Sequence, residues 1–185
     1  MYHIKNDKRS QKSAKLISDA LTQCLNNKPF SEITITDIQR TSHVGRATFY
    51  RLFDNLTDVL AYQCDQIFDD VLEKYSTNPQ LSSKEIILLF IDIWLQHEKL
   101  LDVIVYSNRL DILIESHKRA EDKIKNIFLP HTEIDDKQFN YLIFILTYLM
   151  SGALDGWVKG GRKESPYELL EQLINSLDII GHILK

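Results

Sequence analysis

The chain has 185 residues, 44% hydrophobic and 26% charged, which fits one or two folded domains and excludes a disordered or low-complexity protein. Its net charge of −4 argues against a nucleic-acid partner only until it is divided: residues 1–53 hold nine Lys and Arg against four Asp and Glu, while residues 54–185 hold thirteen against twenty-two. A basic segment on an acidic body is the pattern of a module built to meet an anion.

Four prolines and six glycines are few enough for an all-helical chain. From Ser10 to Asn27, Ala14, Ile17, Leu21 and Leu25 recur at spacings of three and four, the stripe of an amphipathic helix, and Lys28-Pro29 ends it. Thr34 followed by Asp37 predicts a capped second helix running to about Thr41. Ser42 to Gly45 reads as a turn, with Gly45 opening a third helix in which Phe49 and Phe53 face inward. Arg46, Ala47, Thr48, Tyr50 and Arg51 are left on the other face. Two short helices with one packed and one exposed polar face are a helix-turn-helix, whose second helix enters the major groove.

A fourth helix is expected from Asn55 or Thr57, striped by Leu56, Val59, Leu60, Ile67, Phe68, Val71, Leu72 and Tyr75, and closed by Asn78-Pro79. Ser82 or Ser83 caps the next, whose wide apolar arc predicts burial on more than one side. Helical patterns follow over Lys99–Tyr106, Leu110–Phe128, Asp135–Lys159 and Pro166–Leu184, broken by Leu129-Pro130 and Gly160-Gly161. The last two carry broad apolar faces (Phe139, Leu142, Ile143, Leu146 and Leu149, then Leu170, Leu173, Ile174, Leu177 and Ile180), more than one small core needs, which points to burial by a second subunit.

The candidate DNA contacts have distinct chemistry. Arg46 suits bidentate bonds to guanine. Ala47 suits a thymine methyl, and Thr48 and Tyr50 carry hydroxyls for phosphate oxygens. Thr34, Thr36 and Arg51 complete the set, with helix capping an equally good account of Thr36. In the middle helices Phe90, Trp94, Tyr106, Phe144 and Tyr148 are candidates to line a small-molecule cavity, and ordinary core packing accounts for any one of them equally well. His97, His117 and His131 form no spaced metal motif, so no metal or other cofactor is expected. No catalytic set of Ser/His/Asp, Cys/His or paired carboxylates stands out, which argues against an enzyme. Cys24 and Cys64 lie in helical patterns and read as reduced, apolar residues. The first fifteen residues contain no apolar signal core, and the most apolar stretch, Tyr141–Met150, is too short to span a bilayer. A cytoplasmic protein is expected.

Residues 30–60 resemble the DNA-binding domain of the TetR/AcrR family of one-component regulators. Thr34, Asp37, Ile38, Val44, Ala47, Thr48, Phe49, Tyr50, Phe53 and Asn55 stand in the register of that family's motif. The stretch LMSGALDGWVKGGRKESP, Leu149 to Pro166, resembles the end of the ligand domain in a subgroup of the family. The resemblance implies an all-α homodimer, with residues 1–54 binding operator DNA and residues 55–185 holding a small-molecule effector and the dimer bundle. A repressor released by its effector is the leading expectation. An activator or co-activator of the same fold, or a helical small-molecule carrier, is the alternative. Three positions depart from the family pattern. His43 replaces the turn glycine, and Leu52 and Leu56 replace residues that contact phosphate in the family. The basic arm of Lys5, Lys8, Arg9, Lys12 and Lys15 is left to supply phosphate contacts.

Overall fold

The computed structural model describes residues 1–78, 80–128 and 135–183. Within them the chain forms nine α-helices and no strand: α1 (Lys8–Leu25), α2 (Ile35–Ser42), α3 (Arg46–Leu52), α4 (Leu56–Thr77), α5 (Ser83–Gln96), α6 (Glu98–Tyr106), α7 (Leu110–Phe128), α8 (Asp136–Lys159) and α9 (Pro166–Ile183). Pro79, Leu129-Pro130, His131 and Leu184, to which the sequence reading assigned roles, lie outside the described residues.

The helix starts follow local capping chemistry. Asp7 accepts from the Ser10 N–H and opens α1 two residues earlier than its apolar stripe suggests. Thr34 and Asp37 form a reciprocal capping box on α2, and Ser82 and Glu85 form another on α5. Asn55 accepts from the Asp58 N–H and starts α4. After α8, Gly161 adopts φ 88° and the Arg162 N–H turns back to the Trp157 carbonyl at 2.9 Å. A left-handed residue there is the usual way to close a helix and reverse the chain.

Helices α1 to α3 form a small head, α4 leads out of it, and α4 to α9 make the body. One core of buried side chains runs from Ile17 and Leu21 of α1 through Phe49, Phe53, Val59 and Leu60 into the body. Charged pairs fasten α7 along α4: Arg119 grips Asp65 with two bonds of 2.8 and 2.9 Å, and Lys123 reaches Asp69 at 2.5 Å. Asp65 also accepts from the Tyr2 hydroxyl, so the first residues are tied to the body as well. Cys24 and Cys64 are free and buried, and burial pushes the Cys64 thiol pKa up.

Helix α8 spans 24 residues with a mean hydropathy of 1.4 over its most apolar window, enough in length and composition for a membrane span. The ten-residue stretch seen in the sequence understated it. The reason is that α8 is apolar on two sides: Phe139, Thr147, Leu154 and Val158 face the body, while Tyr141, Leu142, Phe144, Ile145 and Tyr148 remain exposed. Helix α9 docks on α5 and α8 by its first turns, and from Leu177 onward its described residues are exposed.

Candidate nucleic-acid interface

The turn between α2 and α3 is set by three residues. His43 takes the left-handed conformation, φ 56° and ψ 19°, and its N–H closes on the Gln39 carbonyl at 3.0 Å. Ser42 Oγ accepts from the Val44 N–H at 3.1 Å, and Val44 packs partly into the core. Gly45 then caps α3 without a side chain. A side chain thus stands at a positive φ, with hydrogen bonds on either side of it.

On α3, Phe49 and Leu52 point inward, with Phe53 following, and Phe49 and Phe53 tilt together at 5.9 Å between ring centroids. The outer face carries Arg46, Ala47, Tyr50 and Arg51, all exposed, and Thr48, half-buried. Arg46 lies over the Tyr50 ring, 5.5 Å from its centroid, with Nη2 3.4 Å from the hydroxyl. Stacking on a neighbour one turn along limits the rotamers of a long side chain before any partner arrives. Thr34 and Thr36 are exposed at the start of α2, and Thr34 also donates its hydroxyl to Asp37 at 2.6 Å. The Lys28 ammonium beside Asp37, helped by Thr34, holds that carboxyl well below the usual carboxylate range.

Positive charge in the head is largely uncompensated. Of the nine Lys and Arg in residues 1–53, only Lys28 is in an ion pair among the described residues, whereas the body pairs Arg109, Lys118, Arg119, Lys123, Lys125, Lys159 and Arg162. The expected basic arm differs in form. Lys8, Arg9, Lys12 and Lys15 stand exposed along α1, and the segment before them is docked: the His3 N–H donates to the Leu52 carbonyl at 2.8 Å, and Tyr2 packs against Phe53 and Tyr62. Leu52 is buried beneath this segment and Leu56 is half-buried against the core, so neither position faces outward.

The body holds an inner cavity of about 290 Å³ between α4, α5, α7 and α8. Phe90 lines it, with Phe68, Val71, Leu113, Phe139 and Met150. Trp94 is fully buried one turn along α5, 6.3 Å from Phe90, but does not reach the lining. Tyr106 ends α6 with 68% of its surface exposed and is turned away from it. Phe144 and Tyr148 stack at 4.8 Å on the outer face of α8 and line a separate outer groove of about 530 Å³. His117, Ile143 and Thr147 border both spaces. The Thr147 contribution has no signature in the sequence, because its partner His117 is 30 residues away on another helix. No group of three His, Cys, Asp or Glu side chains that could hold a metal ion occurs among the described residues.

No protein-family model matches the chain, and no curated protein matches it in sequence. Solved structures do match its fold. Lin0861 from Listeria innocua superposes with a TM-score of 0.75 at 17% identity, over 96% of either chain. A TetR transcriptional regulator from Streptococcus agalactiae matches with 0.58 at 18% identity, over 90% of this chain and 93% of that one. A protein assigned to the TetR-family transcriptional regulators from Syntrophomonas wolfei matches with 0.59 at 16% identity, over 94% and 96%. The chain therefore has the all-helical fold of TetR-family regulators.

Proposed function

We propose that the chain is a TetR-type DNA-binding transcriptional regulator, a cytoplasmic homodimer that represses from a palindromic operator and is released by a small-molecule effector. Residues 1–54 are the reading head and residues 55–185 the effector and dimer domain. The observation that carries the reading is the outer face of α3: Arg46, Ala47, Thr48, Tyr50 and Arg51 stand together on a helix whose other face is anchored by Phe49 and Leu52, within a head whose positive charge is almost entirely unpaired. Arg46 reads a guanine, Ala47 approaches a thymine methyl, and Thr48, Tyr50, Thr34, Thr36 and Arg51 hold phosphates or neighbouring bases. The exposed lysines of α1 add charge that is sequence-independent.

In the body, the inner cavity with Phe90 in its wall takes the effector, and the outer groove of Phe144 and Tyr148 gives access to it. Trp94 supports Phe90 from behind and reports on occupancy by fluorescence, and Tyr106 has no part in the site. The exposed apolar faces of α8 and α9 pair with those of a second copy. No enzymatic step is assigned.

A second reading is favoured by Leu52 and Leu56, which remove two outward positions of the interface: an activator or co-activator with weak DNA binding, or a carrier that keeps the fold. A gel shift with the DNA upstream of the protein's own gene, at about 50 and about 200 mM salt, separates the readings. A specific shift that weakens steeply with salt is expected of the regulator. No shift at the lower salt removes it.

A further inference from the structure

The inner cavity is walled almost wholly by hydrocarbon, yet His117 of α7 sits in its wall. The imidazole is held on two sides. Phe68 meets it edge to face with 5.4 Å between ring centroids, and Thr147 Oγ1 of α8 stands 2.5 Å from Nδ1. The Thr147 hydroxyl also donates to the Ile143 carbonyl one turn back, at 2.7 Å. A hydroxyl has a single proton to give. With that proton on the carbonyl, the oxygen presents lone pairs to the ring, and Nδ1–H is the donor between them. Burial lowers the His117 pKa to about 4, so the ring is neutral and carries no second proton. Nε2 is thereby left as a bare acceptor, and no described residue hydrogen-bonds it. The ring is half-buried where the cavity and the outer groove meet, so Nε2 stands open to a donor from a ligand in place of water.

We propose that the effector is a compact, mostly apolar molecule with one neutral hydrogen-bond donor, a hydroxyl above all, and that His117 Nε2 accepts from it while Phe68, Phe90, Val71 and Leu113 enclose the rest. This rests on the regulator reading only for the word effector. A carboxylate has no proton to offer Nε2. A cation would lose its hydration against hydrocarbon, and Lys118, the charged neighbour of His117 in sequence, is already paired with Glu115 at 2.7 Å. A cavity of about 290 Å³ lies at the small end of ligand sites, the size of a substituted ring and not of a multi-ring drug.

The test uses the full chain without DNA and two probes of the same body, 4-butylphenol and its methyl ether 4-butylanisole, titrated by calorimetry. The phenol is expected to bind about five- to tenfold tighter than the ether, the worth of one neutral hydrogen bond. In His117→Phe, which keeps an aromatic ring and removes the acceptor, that preference is expected to vanish. An ether that binds as well as the phenol overturns the proposal, as does a preference that survives in His117→Phe. Failure of both probes to bind at about 1 mM also overturns it. If His117→Phe does not fold, nitrogen-15 shifts of the unaltered protein decide. An unprotonated Nε2 that moves on adding the phenol is expected, and a protonated Nε2 overturns the assignment. Binding of the phenol by a protein that shifts no DNA leaves this inference standing and removes the regulator. Operator binding without discrimination between the probes does the reverse.

Discussion

Arg46 is the residue on which the DNA reading turns. Its stacking on Tyr50 places the guanidinium at the head of α3, with no carboxylate partner among the described residues. Arg46→Ala is expected to weaken binding to a specific operator by about 1–3 kcal/mol and to relax preference at one base position. Titration against a set of single-base operator variants measures both, and an unchanged profile would rule out base reading. His43 holds the turn at a positive φ that costs an L side chain roughly 1–2 kcal/mol, partly offset in a glycine variant by the entropy of its unfolded chain. His43→Gly is therefore expected to raise stability by up to about 1 kcal/mol in urea denaturation. A fall in stability would mean that the imidazole makes a contact that holds the turn. His117 supplies a pH effect. Its folded pKa of about 4 lies below the ordinary 6.5, so between those values the unfolded chain binds a proton that the folded chain refuses. Stability present above pH 6.5 is lost as pH falls toward 4. His117→Phe should flatten that part of the curve. His97, whose pKa burial also lowers, keeps a residual slope in the variant. Equal slopes in variant and parent would contradict a buried neutral His117. At this scale the sequence exposed the outer face of α3 but not the pairing of His117 with Thr147, because hydrogen bonds between α7 and α8 leave no mark in spacing.

Among the elements, the caps were the most legible. Thr34 with Asp37 marked a helix start because the bond joins residues three apart, and the starts left as Asn55 or Thr57 and Ser82 or Ser83 are settled by bonds to Asp58 and Glu85. Thr34→Ala is expected to cost about 0.5–2 kcal/mol of stability through loss of the box. A change within about 0.3 kcal/mol would show that Asp37 and Lys28 hold α2 without it. The cavity lining was less legible. Periodicity identifies the apolar arc of α5, but not which part of the arc faces a void. Phe90 meets the cavity and Trp94, one turn on, meets solid core. Tyr106 shared their aromatic character and ends up in solvent, because α6 stops there. The surplus apolar surface on α8 and α9 was readable as an amount and remains exposed in the single chain, at Ile145, Tyr148, Leu177 and Ile180 among others. Since Leu177 and Ile180 are exposed in the subunit, Leu177→Glu with Ile180→Glu should leave each subunit folded, yet put unpaired charge into the interface between copies. A helical monomer by circular dichroism and light scattering is expected, against a dimer for the parent. A monomeric parent at micromolar concentration would remove the interface.

On the scale of the whole molecule, head and body share one continuous core through α4, and Asp65 joins Tyr2, near the head, to Arg119 of α7. A ligand that wedges α7 and α8 from α4 therefore bears on the same helix that carries the head. On the proposed reading, a shift of α4 in a dimer would change the distance between two α3 helices, and affinity would fall by as much as the ligand prefers the altered spacing. The fold, the charge division and the exposed face of α3 were all open to inspection in the sequence. The pairs that fasten α7 to α4 were not, since they join residues 54 positions apart. The central claim, that a symmetric pair of α3 helices reads duplex DNA, is tested most directly by selecting bound duplexes from a random pool with the full chain. The account predicts an inverted repeat whose half-sites lie about 34 Å, one helical turn, or a multiple of it apart, lost in Arg46→Ala. Enrichment of no sequence, or of a site without two-fold symmetry, would contradict it.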